Sequence, residues 1–304
     1  MIIISFIKFG GDIMNIKLPM NELRISITSK CNMQCTYCHN EGNKTIDELN
    51  ISTISNLIDA ALKYNLKNVR ITGGEPLLHN NIYEICKKIK SKDNSIKIGI
   101  NTNGILIDKL CMLIDNKLVD RVVVGIDYFN KPISKNSTIG KNSIQILNNI
   151  LKLKKYGINL SISTVYDGNY NNIKNMTQWA IENGIRIKIL EIVDNEISTK
   201  STDEYIDMQK RLIKDFKLTI AVNNIFNEKE GYINGKRVIS FFHSHCRLRE
   251  CEYCKNMHLR VMSNSKFKPC LLNSETEIAF SNKNIEKQLV KSLGKLGIPP
   301  KNNL

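Results

Sequence analysis

The chain has 304 residues, 42% of them hydrophobic, and 44 Lys and Arg stand against 29 Asp and Glu for a formal net charge of +15. That length can bury one large core without requiring two domains. The apolar run from Ile2 to Ile7 is broken by Lys8 and Gly10-Gly11 and falls well short of the ~20 residues that span a bilayer, so no membrane partner is expected.

The early run has no basic region before it and no small-residue cleavage site after it, so it reads as a strand or tail of a cytoplasmic protein. Lys is spread over every segment beside abundant Asn and Ile, which makes most of the charge compositional. There is no aromatic-interleaved basic patch and no helix-turn-helix pattern, so nucleic acid is not the expected partner; a small anionic ligand is weakly favoured.

From Leu23 onward, short β-branched runs alternate with longer helical patterns. Strands are predicted at 23–28, 68–72, 96–101, 121–126, 159–165 and 185–193. Helices are predicted near 52–64, 81–91, 105–116, 141–155, 171–183 and 202–214, with Ser52 as an N-cap and Gly157 and Gly184 as C-terminal stops. Six successive βα units predict an α/β fold, a partial (β/α)6 TIM-like barrel over residues 1–214 with helices covering a parallel sheet. Working residues in such a fold gather at the C-terminal ends of the strands. After about residue 215 the pattern turns to short segments, with a turn at Tyr232-Ile233-Asn234-Gly235 and a helical stretch over 284–296 before Pro299-Pro300. Residues 215–304 are read as a small C-terminal Cys-rich domain.

Nine cysteines say more than the charge does. Three lie in 31–38 and four in 246–270, while Cys86 and Cys111 stand alone in apolar-periodic stretches and read as buried small hydrophobes. Without a secretion signal, clustered cysteines point to metal or cluster ligation rather than disulfides. Cys31, Cys35 and Cys38 form a C-x3-C-x2-C spacing directly after the first strand. Three thiolates leave one iron of a [4Fe-4S] cluster open to another ligand. A closed zinc site would need a fourth ligand, for which the adjacent His39 is badly placed.

Thr72-Gly73-Gly74-Glu75-Pro76 ends the second strand. Its glycines allow the backbone to approach a ligand closely, and Glu75 can accept from an ammonium group; a plain glycine turn would leave the acid unexplained. Asn101-Thr102-Asn103-Gly104 ends the third strand and Gly125-Ile126-Asp127 the fourth, both also ordinary turn chemistry. Cys246, Cys251, Cys254 and Cys270 can ligate zinc or a second cluster, and spacing barely separates the two.

The cysteine loop, its place after the first strand and Tyr37 before the last Cys resemble the radical S-adenosylmethionine (SAM) superfamily. The resemblance implies that Cys31, Cys35 and Cys38 hold a [4Fe-4S] cluster whose open iron chelates SAM, and that reduction cleaves SAM to methionine and a 5′-deoxyadenosyl radical. It further implies that Gly73, Gly74 and Glu75 hold the SAM amino group, that Tyr37, Thr102 and Asp127 belong to the same site, and that residues 189–192 occupy the adenine-contacting position. An electron donor such as flavodoxin or ferredoxin is implied as well. In this company the second cysteine group turns toward an auxiliary [4Fe-4S] cluster.

Over residues 23–272 the chain is similar to the MoaA-like GTP cyclases of molybdenum-cofactor synthesis, through Leu23-Arg24-Ile25-Ser26, the segment from Arg70 to Leu77, and Lys268-Pro269-Cys270-Leu271. The similarity implies a small anionic, nucleotide-like substrate. Arg24 and Arg70 match anion-binding positions, Lys188 stands where another arginine is usual, and Arg260 is the arginine left of an Arg-x-Arg that reads His258-Leu259-Arg260 here. Two other departures are Cys246, an available fourth ligand that would close the auxiliary cluster, and Lys301-Asn302-Asn303-Leu304 where the family ends Gly-Gly. The second enzyme expectation is a peptide-modifying maturase with an auxiliary cluster and a peptide partner.

Two clusters amount to about eight irons in the anaerobically reconstituted protein and about four in a Cys31/Cys35/Cys38→Ala triple variant. Iron and sulfide analysis checks this, and equal iron in both proteins would remove the loop as a cluster site.

Overall fold

The computed structural model describes residues 5–9, 12–16, 21–35, 37–38, 46–127, 143–192, 199–224, 228–243, 251–254, 258–271 and 273–296. The early apolar run contributes β1 (Ser5–Phe9), which pairs with β2 (Asp12–Ile16) in a two-stranded antiparallel sheet. Six βα units follow. They are β3 (Glu22–Ser26) with α1 (Ile51–Leu62), β4 (Asn68–Thr72) with α2 (Ile82–Lys92), and β5 (Lys97–Thr102) with α3 (Ile107–Asp115). Next come β6 (Arg121–Gly125) with α4 (Ser143–Lys154), β7 (Asn159–Tyr166) with α5 (Tyr170–Glu182), and β8 (Arg186–Glu191) with α6 (Thr199–Asp215). β3 to β8 are parallel neighbours in chain order, the arrangement of a partial barrel.

After α6 come β9 (Thr219–Asn223), β10 (Glu228–Ile233), β11 (Lys236–Phe242) and the short α7 (Cys251–Cys254). The chain continues through β12 (Leu259–Met262), β13 (Lys266–Lys268), β14 (Ile278–Ala279) and α8 (Ile285–Leu293). β11 lies parallel beside β8 and β12 parallel beside β3, so both edges of the six-strand sheet are extended. The full order is β14-β13-β12-β3-β4-β5-β6-β7-β8-β11-β10-β9. The change of pattern near residue 215 is therefore a change of topology within one sheet, from βα crossovers to hairpins. Asn234 and Gly235, at φ +49° and +74°, make the two-residue turn between β10 and β11, where positive φ matches the strand twist.

Parallel strands covered on both faces usually read as unbroken apolar runs. Here they alternate. Leu23, Ile25, Val69, Ile71, Ile98, Ile100, Val122, Val124, Ile162 and Ile187 are buried in the core beneath the helices. The residues between them include Arg24, Arg70, Arg121, Ser161 and Lys188, and these line a cavity on the other face. One face of the sheet is thus an apolar seam for the helices and the other a polar lumen. Cys86 and Cys111 are buried in the helix layer, and burial pushes the Cys86 thiol up to about 12. No helix among the described residues is long and apolar enough to cross a membrane.

Gly157 and Gly184 follow their helices at φ +66° and +60°, as the sequence predicts. The expected cap on α1 is different. Asn50, not Ser52, is the N-cap, its Oδ1 accepting from Thr53 N at 2.8 Å while Ser52 Oγ donates to the same oxygen at 2.7 Å. Asn50→Ala therefore lowers unfolding free energy by about 1 kcal/mol. Ser52→Ala costs less than about 0.5 kcal/mol, a ranking that denaturant midpoints of the two variants check.

Candidate active site

The segment leaving β3 is clamped from two sides before it reaches the first cysteine. On one side Leu49 N donates to Ile27 O at 2.9 Å and Ser29 N to Asp47 O at 3.0 Å. On the other, Gly74 N donates to Thr28 O at 2.8 Å and Glu75 N to Lys30 O at 2.7 Å. A Cβ on Gly73 would lie 2.3 Å from Thr28 O, and one on Gly74 2.3 Å from Lys30 O. The close approach these glycines permit is to the chain's own backbone, immediately ahead of Cys31. The approach expected toward a ligand is taken up first by the cysteine loop, which these glycines dock.

On that loop Cys31 and Cys38 are exposed and Cys35 is half-buried, all three as thiols. Cys31 Sγ accepts from Met33 N at 3.3 Å, and Cys38 N donates to Cys35 O at 3.0 Å. Burial raises the Cys31 thiol, and burial with the nearby Asp127 carboxylate pushes Cys35 up to about 11. Among the described residues no three Cys, His, Asp or Glu side chains converge on a point that suits a single metal ion. Three cysteines on one docked loop, two of them open to solvent, fit a [4Fe-4S] cluster with one iron left for another ligand.

Glu75 is 1% exposed and its carboxylate is already held. Oε1 accepts from Leu77 N at 3.0 Å and from Thr102 Oγ1 at 2.8 Å, and Oε2 accepts from Asn103 N at 2.7 Å. Thr102 Oγ1 in turn accepts from Gly104 N at 3.1 Å. Burial still raises the Glu75 carboxyl, with these bonds opposing the rise. The side chains of Glu75 and Thr102 thus brace one strand end against the next. Asn103, singled out only as part of its segment, carries the brace onward by donating from Nδ2 to Asn32 Oδ1 at 2.8 Å.

Asp127 and Tyr37 form a second brace. Tyr37 OH donates to Asp127 Oδ2, and Val165 N donates to Oδ1 at 2.9 Å, so the cysteine loop is tied across to β7. Burial and the Asp127 charge raise the Tyr37 phenol far above its ordinary range, and burial raises Asp127 as well. Residues 191–192, with Tyr166 and Tyr205, line a small cavity of about 130 Å³ beside this end of the sheet.

The four expected anion residues, Arg24, Arg70, Lys188 and Arg260, all line one lumen cavity of about 640 Å³. Arg121, Arg186 and Arg237 join them, so seven Lys and Arg face three Glu along its wall. Arg260, Arg24 and Arg70 stand in one register row across β12, β3 and β4. Like charges in such positions repel unless compensated. The compensation is Glu22, 1% exposed, which accepts from Arg70 Nε at 2.9 Å and Nη2 at 3.1 Å and also pairs with Arg121. His258 is buried with Nδ1 3.9 Å from Glu22, and burial together with Arg260 and Arg24 holds it well below the usual histidine range. Burial and Arg70 push Lys188 down to about 8, and burial pushes Glu228 up to about 7. Sequence reasoning missed Glu22 and Arg121; their signal was the polar phase of β3 and β6, the same phase that holds Arg24.

Cys251 and Cys270 fall at the opposite end of the sheet from the first cysteine loop. The chain enters β12 from α7, which carries Cys251 and Cys254, and β12 runs parallel to β3, whose far end leads to Cys31. Cys270 follows antiparallel β13 two residues after Lys268, the partner of Arg260, and so returns to the end where β12 begins. Cys251 and Cys270 are half-buried thiols. Cys246 and the Cys254 side chain lie outside the described residues.

Residues 25–180 match the radical SAM superfamily. The chain is 31% identical to a protein named probable GTP 3′,8-cyclase from Methanococcus aeolicus, covering 84% of this chain and 87% of that one. It is 28% identical to a protein of the same name from Methanocaldococcus jannaschii, covering 88% of each. Among solved structures it resembles anSMEcpe with bound S-adenosylmethionine at a TM-score of 0.62 and 19% identity, over 90% of this chain and 80% of that one. Streptococcus suis SuiB bound to S-adenosylmethionine superposes at 0.63 and 16% identity, the chain spanning 64% of SuiB's length. A further structure shows SuiB bound to its precursor peptide SuiA. At these identities the structural likenesses describe the fold.

Gly74→Ala forces the backbone of residues 29–30 away from the second strand end. The expected outcome is a protein that keeps its helical circular dichroism but loads less than half of the first cluster's iron on reconstitution, with full iron loading as the contrary result.

Proposed function

The chain belongs to the radical SAM superfamily, and from that premise we propose that it acts on a nucleotide-like, polyanionic substrate held in the barrel lumen, in the manner of a GTP 3′,8-cyclase. With cluster and SAM bound, reductive cleavage of SAM supplies a 5′-deoxyadenosyl radical that takes hydrogen from the substrate. Cys31, Cys35 and Cys38 would hold the cluster. Gly73 and Gly74 hold the loop flush to the second strand end, and the Glu75–Thr102–Asn103 and Tyr37–Asp127 braces fix its orientation against β5 and β7. The Glu75 carboxylate positions Asn103 and the strand end through its three hydrogen bonds and, with Oε2 accepting only one of them, keeps an acceptor site for the SAM amino group.

The observation that carries the substrate reading is the lumen itself, where seven cations face three carboxylates between two cysteine-bearing ends. Arg24 and Arg260 sit beside Arg70 and supply planar, forked donors suited to phosphate oxygens. Lys188, with Nζ 5.1 Å from the centre of the Phe242 ring, supplies a point charge from the facing wall. We further propose that Cys251, Cys254 and Cys270 hold an auxiliary [4Fe-4S] cluster at the far mouth, with Cys246 available as a fourth ligand. The proposed setting is the cytoplasm, with an electron donor such as flavodoxin or ferredoxin.

GTP carrying deuterium on its ribose is expected to pass that label into 5′-deoxyadenosine. Turnover with GTP but without label transfer would contradict a sugar hydrogen as the target, and label transfer only with a peptide would favour the maturase reading. The lumen also titrates. As pH rises from 6.5 to 8.5, Glu228 gains negative charge near 7 and Lys188 loses positive charge near 8. Both changes subtract from the attraction for an anion. GTP affinity is therefore expected to fall across this window, and Lys188→Arg, which stays charged, to flatten the upper part of the fall.

A further inference from the structure

We infer that Arg121 is a further anion-contacting residue of the lumen, and that Gly99 is the position that lets it reach there. The inference rests on the reading of the lumen as an anion site and names a residue that the family match did not supply. Gly99 on β5 and Arg121 on β6 are register partners. A Cβ at Gly99 would lie 2.5 Å from Arg121 Nε, 2.8 Å from Cγ and 3.1 Å from Cδ. The Arg121 side chain therefore lies flat across β5, over the one position on that strand where no side chain stands in its way. Gly99 has no left-handed φ to require glycine; its missing side chain is what matters.

Laid across in this way, Arg121 reaches from β6 to Glu22 on β3, the carboxylate that Arg70 already grips in bidentate fashion. One negative charge between two guanidiniums leaves one positive charge over, with Arg24 and Arg260 in the row alongside. Excess charge in a cavity wall calls for a counter-ion. Arg121 has the more open face of the pair, its side chain 27% exposed against 13% for Arg70. Glu22 thus orients the guanidinium through Nη2, and because Arg121 lines the cavity the donors that Glu22 does not take are available to a phosphate group.

The test is calorimetric titration of inorganic tripolyphosphate and of GTP into anaerobically reconstituted wild type, Gly99→Ala, Arg121→Gln and Arg121→Lys, with iron content as the folding control. Gly99→Ala displaces a flexible side chain rather than backbone, so the fold is expected to survive it. Arg121→Gln and Gly99→Ala should each weaken tripolyphosphate about tenfold, ~1.4 kcal/mol. Arg121→Lys should keep part of the affinity, and the Gly99→Ala/Arg121→Gln double variant should be no weaker than Arg121→Gln, because both changes remove one contact. An Arg121→Gln affinity for tripolyphosphate within about twofold of wild type overturns the inference. Wild type that binds tripolyphosphate but not GTP overturns the nucleotide reading and leaves the arginine to be judged on tripolyphosphate alone. Wild type that binds neither overturns both.

Discussion

The candidate active site depends on a backbone contact that only glycine allows. Residues 73–75 lie flush against residues 28–30, and a methyl group at either glycine would sit 2.3 Å from a carbonyl oxygen. That contact fixes where the chain stands when it enters the cysteine loop. Residues 47–49 complete the clamp from the other side, so a loop whose cysteines are largely solvent-facing starts from a rigid base. The buried Glu75 then passes rigidity sideways to the third strand end through Thr102 and Asn103, and Tyr37 passes it to Asp127. A cluster site needs such support, because ligands on an unsupported loop must be ordered at the moment of binding.

The second constraint is electrostatic. A barrel lumen that carries several arginines in one register row is unfavourable when empty of negative charge, and here the buried carboxylate of Glu22 pairs with Arg70 and Arg121. Glu22 holds Arg70 and Arg121 in fixed orientations, one carboxylate for two guanidiniums. The two guanidiniums are thereby preorganised on a wall where seven Lys and Arg face three Glu. Preorganised dipoles and charges of this kind cost nothing to arrange when the ligand arrives. Burial and the neighbouring arginines hold His258 well below the usual histidine range at this wall, while Arg121, Arg186 and Arg237 add to its positive charge.

The order of strands and helices was legible because short β-branched runs alternate with longer helical patterns along the chain. The lumen was not read from it, since the polar residues within strands such as Leu23-Arg24-Ile25-Ser26 show their common face only once the helix-covered core is in place. The cysteine spacing and Gly-Gly-Glu stood out because neither is ordinary strand-end chemistry. What stayed hidden depends on contacts between distant positions. Arg121 reaches Glu22 across Gly99, which is 22 residues earlier on another strand, and no local pattern reports that a glycine is a groove for someone else's side chain. The glycines at 73 and 74 were found but their nearest partner was not, since that partner is a carbonyl more than forty residues away. The C-terminal segment read as separate because hairpins replaced crossovers; that its strands return to both edges of the barrel sheet is a matter of long-range pairing.

The measurement that bears most directly on the whole account is anaerobic incubation of the reconstituted protein with SAM and dithionite, followed by chromatographic detection of 5′-deoxyadenosine and methionine. Wild type is expected to give both products, and a protein lacking Cys31, Cys35 and Cys38 neither. A wild-type preparation with its full iron content that yields no 5′-deoxyadenosine, or equal yields from the two proteins, would contradict it.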